Sequence, residues 1–345
     1  MIRHTNFIRQ SLLLAGLLVG SVPGRAQVAE RVMHPTITVS DLNRVLPFYT
    51  QVLSFDLIGT RTVAAAVAAR LFSLPDSTHS VRVATLRLGQ ETLELLDFVG
   101  PETGRSMPPD SRSNDRWFQH IAIVVSDIDK AYRQLRQHRV GHVSTAPQTL
   151  PAYLPAAAGI RAFYFHDPDG HVLELIWFPP GKGNPRWQPP AAGQQDGALF
   201  LGIDHTAVAS ADTDRSLAFY RDGLGLQLGG TSENYGTEQE HLNQVFGAHL
   251  LISGLTTGRG MGIELLDYLA PPGGRPYPEA SRANDLWHWH TVLKVSGLAA
   301  FRDRLHQQGY PLLSPGIVSL DGLGLAARRG LWLRDPDGHA LLLCE

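Results

Sequence analysis

The sequence holds one cysteine, Cys344, so no disulfide can form within the chain and no disulfide scaffold is available. It has no excess of either charge: 30 Lys and Arg stand against 32 Asp and Glu, a formal −2. Such a balance creates no global field to gather nucleic acid or an anionic membrane, and neither partner is expected. It also lacks an apolar run long enough to span a bilayer. Ser11 to Val19 (SLLLAGLLV) is too short, but Arg3, His4 and Arg9 precede it and Gly24 and Ala26 follow. Residues 1–26 therefore read as a secretory signal peptide cleaved before Gln27. No cysteine follows that run to take a lipid anchor, so a secreted or periplasmic protein without a membrane span is expected.

What is present is a globular composition, 43% hydrophobic and 18% charged, with internal repetition. Ser111-Arg112-Ser113-Asn114-Asp115-Arg116-Trp117 returns 170 residues later as Ser281-Arg282-Ala283-Asn284-Asp285-Leu286-Trp287. Glu94-Leu95-Leu96-Asp97 returns as Glu264-Leu265-Leu266-Asp267, and Asp167-Pro168-Asp169-Gly170-His171 as Asp335-Pro336-Asp337-Gly338-His339. His34 and Tyr49 are matched by His205 and Tyr220 at the same separation. The Pro/Gly-rich stretch 181–199 reads as a linker between copies at 27–180 and 200–345.

Each copy shows a finer repeat in which a β-rich run precedes an amphipathic helix and then further strands. The helices are expected at Asp41–Leu53, Asp127–His138, Asp212–Leu224 and Gly297–Gln308. Asp-Pro-Asp-Gly is expected as a tight turn between the last two strands, with glycine taking positive φ. The fold class is α+β, with four βαβββ modules and mixed sheets. The spacing of the copies favours pairing of modules within each copy.

Every module opens on a strand histidine: His34, His120, His205 and His290. Glu94, Glu174 and Glu264 stand on the last strands of the first three modules. A carboxylate among apolar neighbours on a core strand needs a partner, a proton or a metal. Two imidazoles with two carboxylates suit a divalent ion such as Ni, Co, Zn, Fe or Mn. A lone strand histidine is usually a hydrogen-bonded core residue; four at equivalent positions favour ligation. The Arg112/Asn114/Asp115/Trp117 set and its Arg282 counterpart read first as local structure. Arg112 and Arg282 are also candidates to hold an anionic substrate group. His171 and His339 are expected at the surface.

The strand histidine, the helix ending in Phe-Tyr and the Asp-Pro-Asp-Gly-His-x-x-Glu hairpin resemble vicinal oxygen chelate proteins. That family includes glyoxalase I, methylmalonyl-CoA epimerase, extradiol dioxygenases and fosfomycin- or bleomycin-resistance proteins. The resemblance implies two tandem half-barrel domains. It implies a metal held by His34, Glu94, His120 and Glu174, with Glu94 or Glu174 shuttling a proton. A second set, His205, Glu264 and His290, lacks its fourth member because Leu342 stands at the Glu174 position. The expected function is lyase or isomerase chemistry through an enediolate-like intermediate on a small oxygenated substrate. A dioxygenase using Fe(II) and a binding protein without turnover are the alternatives, in a monomer or homodimer.

Overall fold

The computed structural model describes residues 28–74, 78–102, 104–188, 197–272 and 274–345. The expected signal peptide and part of the expected linker lie outside the described residues. Among the described residues no helix is long and apolar enough to cross a membrane.

The first module comprises β1 (Ala29–Val39), α1 (Leu42–Pro47), β2 (Asp56–Val63), α2 (Ala65–Phe72), β3 (Ser80–Leu88) and β4 (Glu91–Val99). The second runs through β5 (Gln119–Val125), α3 (Ile128–Gln137), β6 (Gln148–Thr149), β7 (Arg161–His166) and β8 (Val172–Trp177). In the third are β9 (Phe200–Ser210), α4 (Thr213–Leu217), β10 (Gln227–Tyr235), α5 (Thr237–Asn243), β11 (His249–Thr256) and β12 (Gly262–Ala270). The fourth has β13 (Trp289–Val295), α6 (Leu298–Gln307), β14 (Val318–Ser319), β15 (Arg329–Arg334) and β16 (Ala340–Cys344). Asp41, Asp127 and Asp212 cap α1, α3 and α4 by accepting from the amides of Asn43, Lys130 and Arg215.

These elements form two eight-stranded mixed sheets, and their composition overturns the expected pairing. One sheet runs β14-β15-β16-β13-β1-β4-β3-β2, the other β10-β11-β12-β9-β5-β8-β7-β6. The outer modules of the chain, first and fourth, share a sheet through the β1–β13 ladder. The inner modules, second and third, share the other through β5–β9. Neither sheet therefore coincides with residues 27–180 or 200–345. The strands on either side of the linker, β8 and β9, lie in one sheet, and the arms 104–118 and 274–288 carry the chain from sheet to sheet.

The arms lock reciprocally. Arg105 pairs with the buried Asp285 at 2.6 Å and lies over the Trp287 ring, while Arg275 pairs with the buried Asp115 at 2.7 Å and lies over Trp117. Asp115 and Asp285 also accept from the amides of Arg112 and Arg282, which is the structural meaning of the repeated motif.

The halves of each copy still touch through one large core between the sheets, where Phe48 meets Phe165 and Phe219 meets Tyr310. Strand alternation sends Ile121, Ile123, Leu173 and Leu175 into that core and His120 and Glu174 to the opposite, concave face.

The hairpin motif is also structural. Gly170 and Gly338 take positive φ, as expected of the turn. His171 and His339, expected at the surface, are buried. The Asp167 carboxylate gathers the amides of Asp169 and His171, the His171 ring at 2.8 Å and the Tyr49 hydroxyl at 3.1 Å. Asp335, His339 and Tyr220 repeat the arrangement. Burial draws the His171 imidazole pKa down, but Asp167 more than offsets it and the net shift is upward.

Candidate metal centre

Crossed pairing redistributes the candidate ligands. His34 and Glu94 share the outer-module sheet with His290 and Leu342, whereas His120 and Glu174 share the inner-module sheet with His205 and Glu264. The expected groupings are therefore not assembled, and Glu94 does not stand beside Glu174. The reason is topological: β5 has β9 and β8 as its neighbours and never meets β1 or β4.

In the inner-module sheet all four corners are filled. His120 and His205 lie on the central strands, with Glu174 and Glu264 on the strands flanking them. Glu174 Oε2 is 3.2 Å from His120 Nε2 and 3.7 Å from His205 Nε2, and Glu264 Oε2 is 3.3 Å from His205 Nε2. His120, Glu174 and His205 by themselves form a cluster able to hold a metal. Both His120 nitrogens are buried without a hydrogen-bond partner, the Glu174 contact lacking the geometry of one. Neighbouring ligands of one ion at bond lengths of about 2.1 Å lie about 3 Å apart, so these spacings and the orphaned imidazole fit a divalent ion.

The electrostatics agree. Burial lowers the His120 imidazole against the opposing pull of Glu174. Burial also acts to lower His205, but Glu264, Asp204 and Glu174 outweigh it and push the imidazole up to about 9. The Glu264 carboxyl is raised by desolvation deep in the cavity, although the open space beside it leaves its side chain 29% accessible. Between pH 7 and 8 the metal-free His205 is thus an imidazolium, and binding an ion must displace its proton. Titration of the metal-free protein with Zn(II) in weak buffer should release about one proton per ion from this residue at pH 7.5, fading above pH 10.

The cavity over these ligands has a volume of about 580 Å³. Tyr164, Thr231, Ser232, Asn234 and Gln239 supply polar groups, and Leu150, Ile176, Phe178 and Ile252 supply apolar wall. Arg186, the cation among the lining residues described, is already paired with Glu91 at 2.5 Å. Arg112 lies elsewhere, beside a smaller cavity with Trp117 and His166.

The outer-module sheet is closed at the corresponding place. Arg61 takes Glu94 at 2.9 Å, and the Thr85 hydroxyl donates to the same carboxylate at 2.9 Å. The positions equivalent by strand register are Ser232 and Gly254, which leave Glu264 open to the cavity. Phe72, at the end of α2, packs against Trp332 and His290, while the equivalent end of α5 is Asn243. Leu342 joins the apolar cluster that fills the space. A guanidinium thus neutralises Glu94, and hydrocarbon occupies the remainder.

Sequence reasoning missed Arg61, Tyr164, Arg186 and Asp204. Nothing marks an arginine on a half-exposed strand as a plug; the adjacency of Asp204 to His205, absent at Met33-His34, was the available signal.

The sequence matches the Glyoxalase/Bleomycin resistance protein/Dioxygenase superfamily over residues 31–175 and 202–343. It is 36% identical over 162 residues to a 2-epi-5-epi-valiolone epimerase from Actinomyces sp, covering 46% of this chain and 84% of that protein. Against glyoxalase I of Saccharomyces cerevisiae it is 26% identical over 214 residues, 58% of each chain, so little more than half of that relative is spanned. Glyoxalase I from Zea mays superposes with a TM-score of 0.60 over 91% of this chain and 92% of that one. Its 18% identity makes this a likeness of fold.

Proposed function

Since the chain belongs to the glyoxalase, bleomycin-resistance and dioxygenase superfamily, we propose that it is a metal-dependent epimerase or isomerase of a small, neutral, polyhydroxylated ketone. The observation that carries this is the pair Glu174 and Glu264 on the strands flanking His120 and His205. The epimerase relative supports the reaction type.

His120, Glu174, His205 and Glu264 would hold a divalent ion, which when bound would polarise a substrate carbonyl as a Lewis acid. The protein's own groups would do the proton transfers. Glu264, its carboxyl pKa raised by burial, is suited to take a proton from the carbon beside the carbonyl. Glu174, on the far side of the histidine pair, would take a proton from solvent and deliver it to the opposite face, inverting that carbon, while Glu264 passes its own proton to solvent. The hydroxyl and amide groups of Thr231, Ser232, Asn234 and Gln239 suit a polyol, and the apolar wall limits water. Among the described lining residues no arginine or lysine side chain is unpaired, which supports a substrate held by its carbonyl and hydroxyl groups rather than by a separate anionic group.

The test is proton NMR of cyclitol ketones, 2-epi-5-epi-valiolone among them, in deuterated solvent with protein loaded in turn with Ni, Co, Zn, Fe(II) or Mn. Deuterium should enter beside the carbonyl with inversion, and Glu264→Gln should slow exchange by about 100-fold or more. Saturable binding without exchange would sink this reading in favour of a sequestering protein. Ketone-dependent oxygen consumption with Fe(II) would favour a dioxygenase.

We also propose export, on the basic–apolar–small pattern of residues 1–26. Protein recovered from a periplasm-bearing host should begin at Gln27 on N-terminal sequencing; an intact Met1 would count against it.

A further inference from the structure

His120 and His205 are held in different ways. The His120 Nδ1 has no hydrogen-bond partner, and the ring is packed by Phe118 at 5.6 Å and Tyr164 at 4.9 Å, with Glu174 beside Nε2. His205 Nδ1 instead meets Asp204 Oδ2 at 3.0 Å. Adjacent residues on a regular strand point to opposite faces. Here the β5–β9 ladder pairs Ala122 with His205 and Ile123 with Ile203, leaving Asp204 as the unpaired residue of a β-bulge. A bulge redirects a side chain and breaks the alternation, so neighbours can meet.

The same bulge recurs in the outer-module sheet. The β1–β13 ladder pairs Val32 with Leu293 and His34 with Val292, leaving Met33 unpaired. Met33 packs on the apolar cluster and offers no acceptor. The carboxylate is thus present at the complete ligand set and missing at the plugged one.

Asp204 is itself held. The Trp187 indole N–H donates to its Oδ1. Trp187 lies in a short 3-10 turn (Pro185–Trp187) of the segment joining the copies, and Arg186 stacks on its ring at 3.9 Å while pairing with Glu91 of β4. Gly202 makes room, since a Cβ there would lie 2.7 Å from the Trp187 ring.

We infer that Asp204, anchored by Trp187, is a positioning residue for the metal centre. It fixes His205 with Nδ1–H directed at Asp204 and Nε2 directed at the space between Glu174 and Glu264, where Nε2 would meet an ion on giving up its proton. The joining segment is therefore part of the metal site's outer support as well as a connection. This rests on the reading of His120, Glu174, His205 and Glu264 as metal ligands.

The experiment is Co(II) binding to the full chain, measured by competition with a chelating dye and by the visible absorption of the bound ion. Asp204→Ala should weaken Co(II) binding about 10- to 100-fold and alter the visible bands. Asp204→Asn keeps an acceptor for the ring N–H but loses the charge, and should weaken binding less. Trp187→Phe keeps the packing, removes the donor to Asp204, and should also weaken binding. A purely structural Asp204 would shift the thermal midpoint and leave affinity and spectrum of the folded fraction unchanged. Affinity within about twofold of the unaltered chain for both Asp204 variants, with unchanged bands, overturns the inference. Should the unaltered chain bind no Co(II), it is the metal-centre reading that fails first, and the two failures are thereby told apart.

Discussion

His120→Ala and Glu174→Ala should each yield protein without bound metal after dialysis, while His34→Ala and Glu94→Ala should retain one ion per chain. Plasma mass spectrometry on the purified variants makes the comparison. Removing a direct ligand from a four-residue set should cost more than the roughly 10- to 100-fold typical of losing an outer-shell partner. In the outer-module sheet there is no such set to damage: Arg61 holds Glu94, and Leu342 stands where a fourth ligand would. Glu94→Ala should instead appear in stability, since it strips Arg61 and Thr85 of a charged acceptor at a cost of about 2 kcal/mol. Metal lost with His34→Ala as well as with His120→Ala would mean that the ligands assemble within each copy and that the crossed pairing is wrong; metal lost with His34→Ala alone would place the ion in the outer-module sheet.

Gly104→Ala and Gly274→Ala should each destabilise the protein by about 3 kcal/mol or more, read as a fall in the urea midpoint. A Cβ at Gly104 would sit 1.6 Å from the Asn284 carbonyl oxygen, and one at Gly274 would sit 1.5 Å from that of Asn114. Both obstacles are backbone, so no rotamer change relieves them. The arms must separate, which strains the pairs Arg105–Asp285 and Arg275–Asp115 at once and leaves buried carboxylates short of partners. A loss under about 1 kcal/mol in both variants would show that the arms do not approach so closely.

Much of this architecture is legible in the sequence, for reasons that can be named. Helix starts are written in Asp41, Asp127 and Asp212, whose caps depend on local spacing. The faces of β5 and β8 follow from alternation. Module pairing is not legible, because four similar modules offer equally apolar partners to β1, and the choice lies in how the arms 104–118 and 274–288 pack. Two placements lay beyond simple alternation, one at a bulge and one where the face opposite Glu174 proved to be the core. The β9 bulge brings Asp204 beside His205, and the hairpin carboxylate draws His171 inward. The four histidines and three glutamates were visible as candidates, but which of them share a centre required the sheet order.

The crossed pairing also divides labour along the chain. Each sheet draws one module from each copy, so the complete set of corners is made of residues from both copies, and Leu342 closes the sheet of the outer modules. The plugged sheet, filled by Phe72, Trp332 and Leu342, becomes a keel. It braces the back of the open sheet through the shared core in which Phe48 meets Phe165. A cavity of this size leaves its walls short of packing partners, and the filled sheet behind it supplies contacts that the open one lacks.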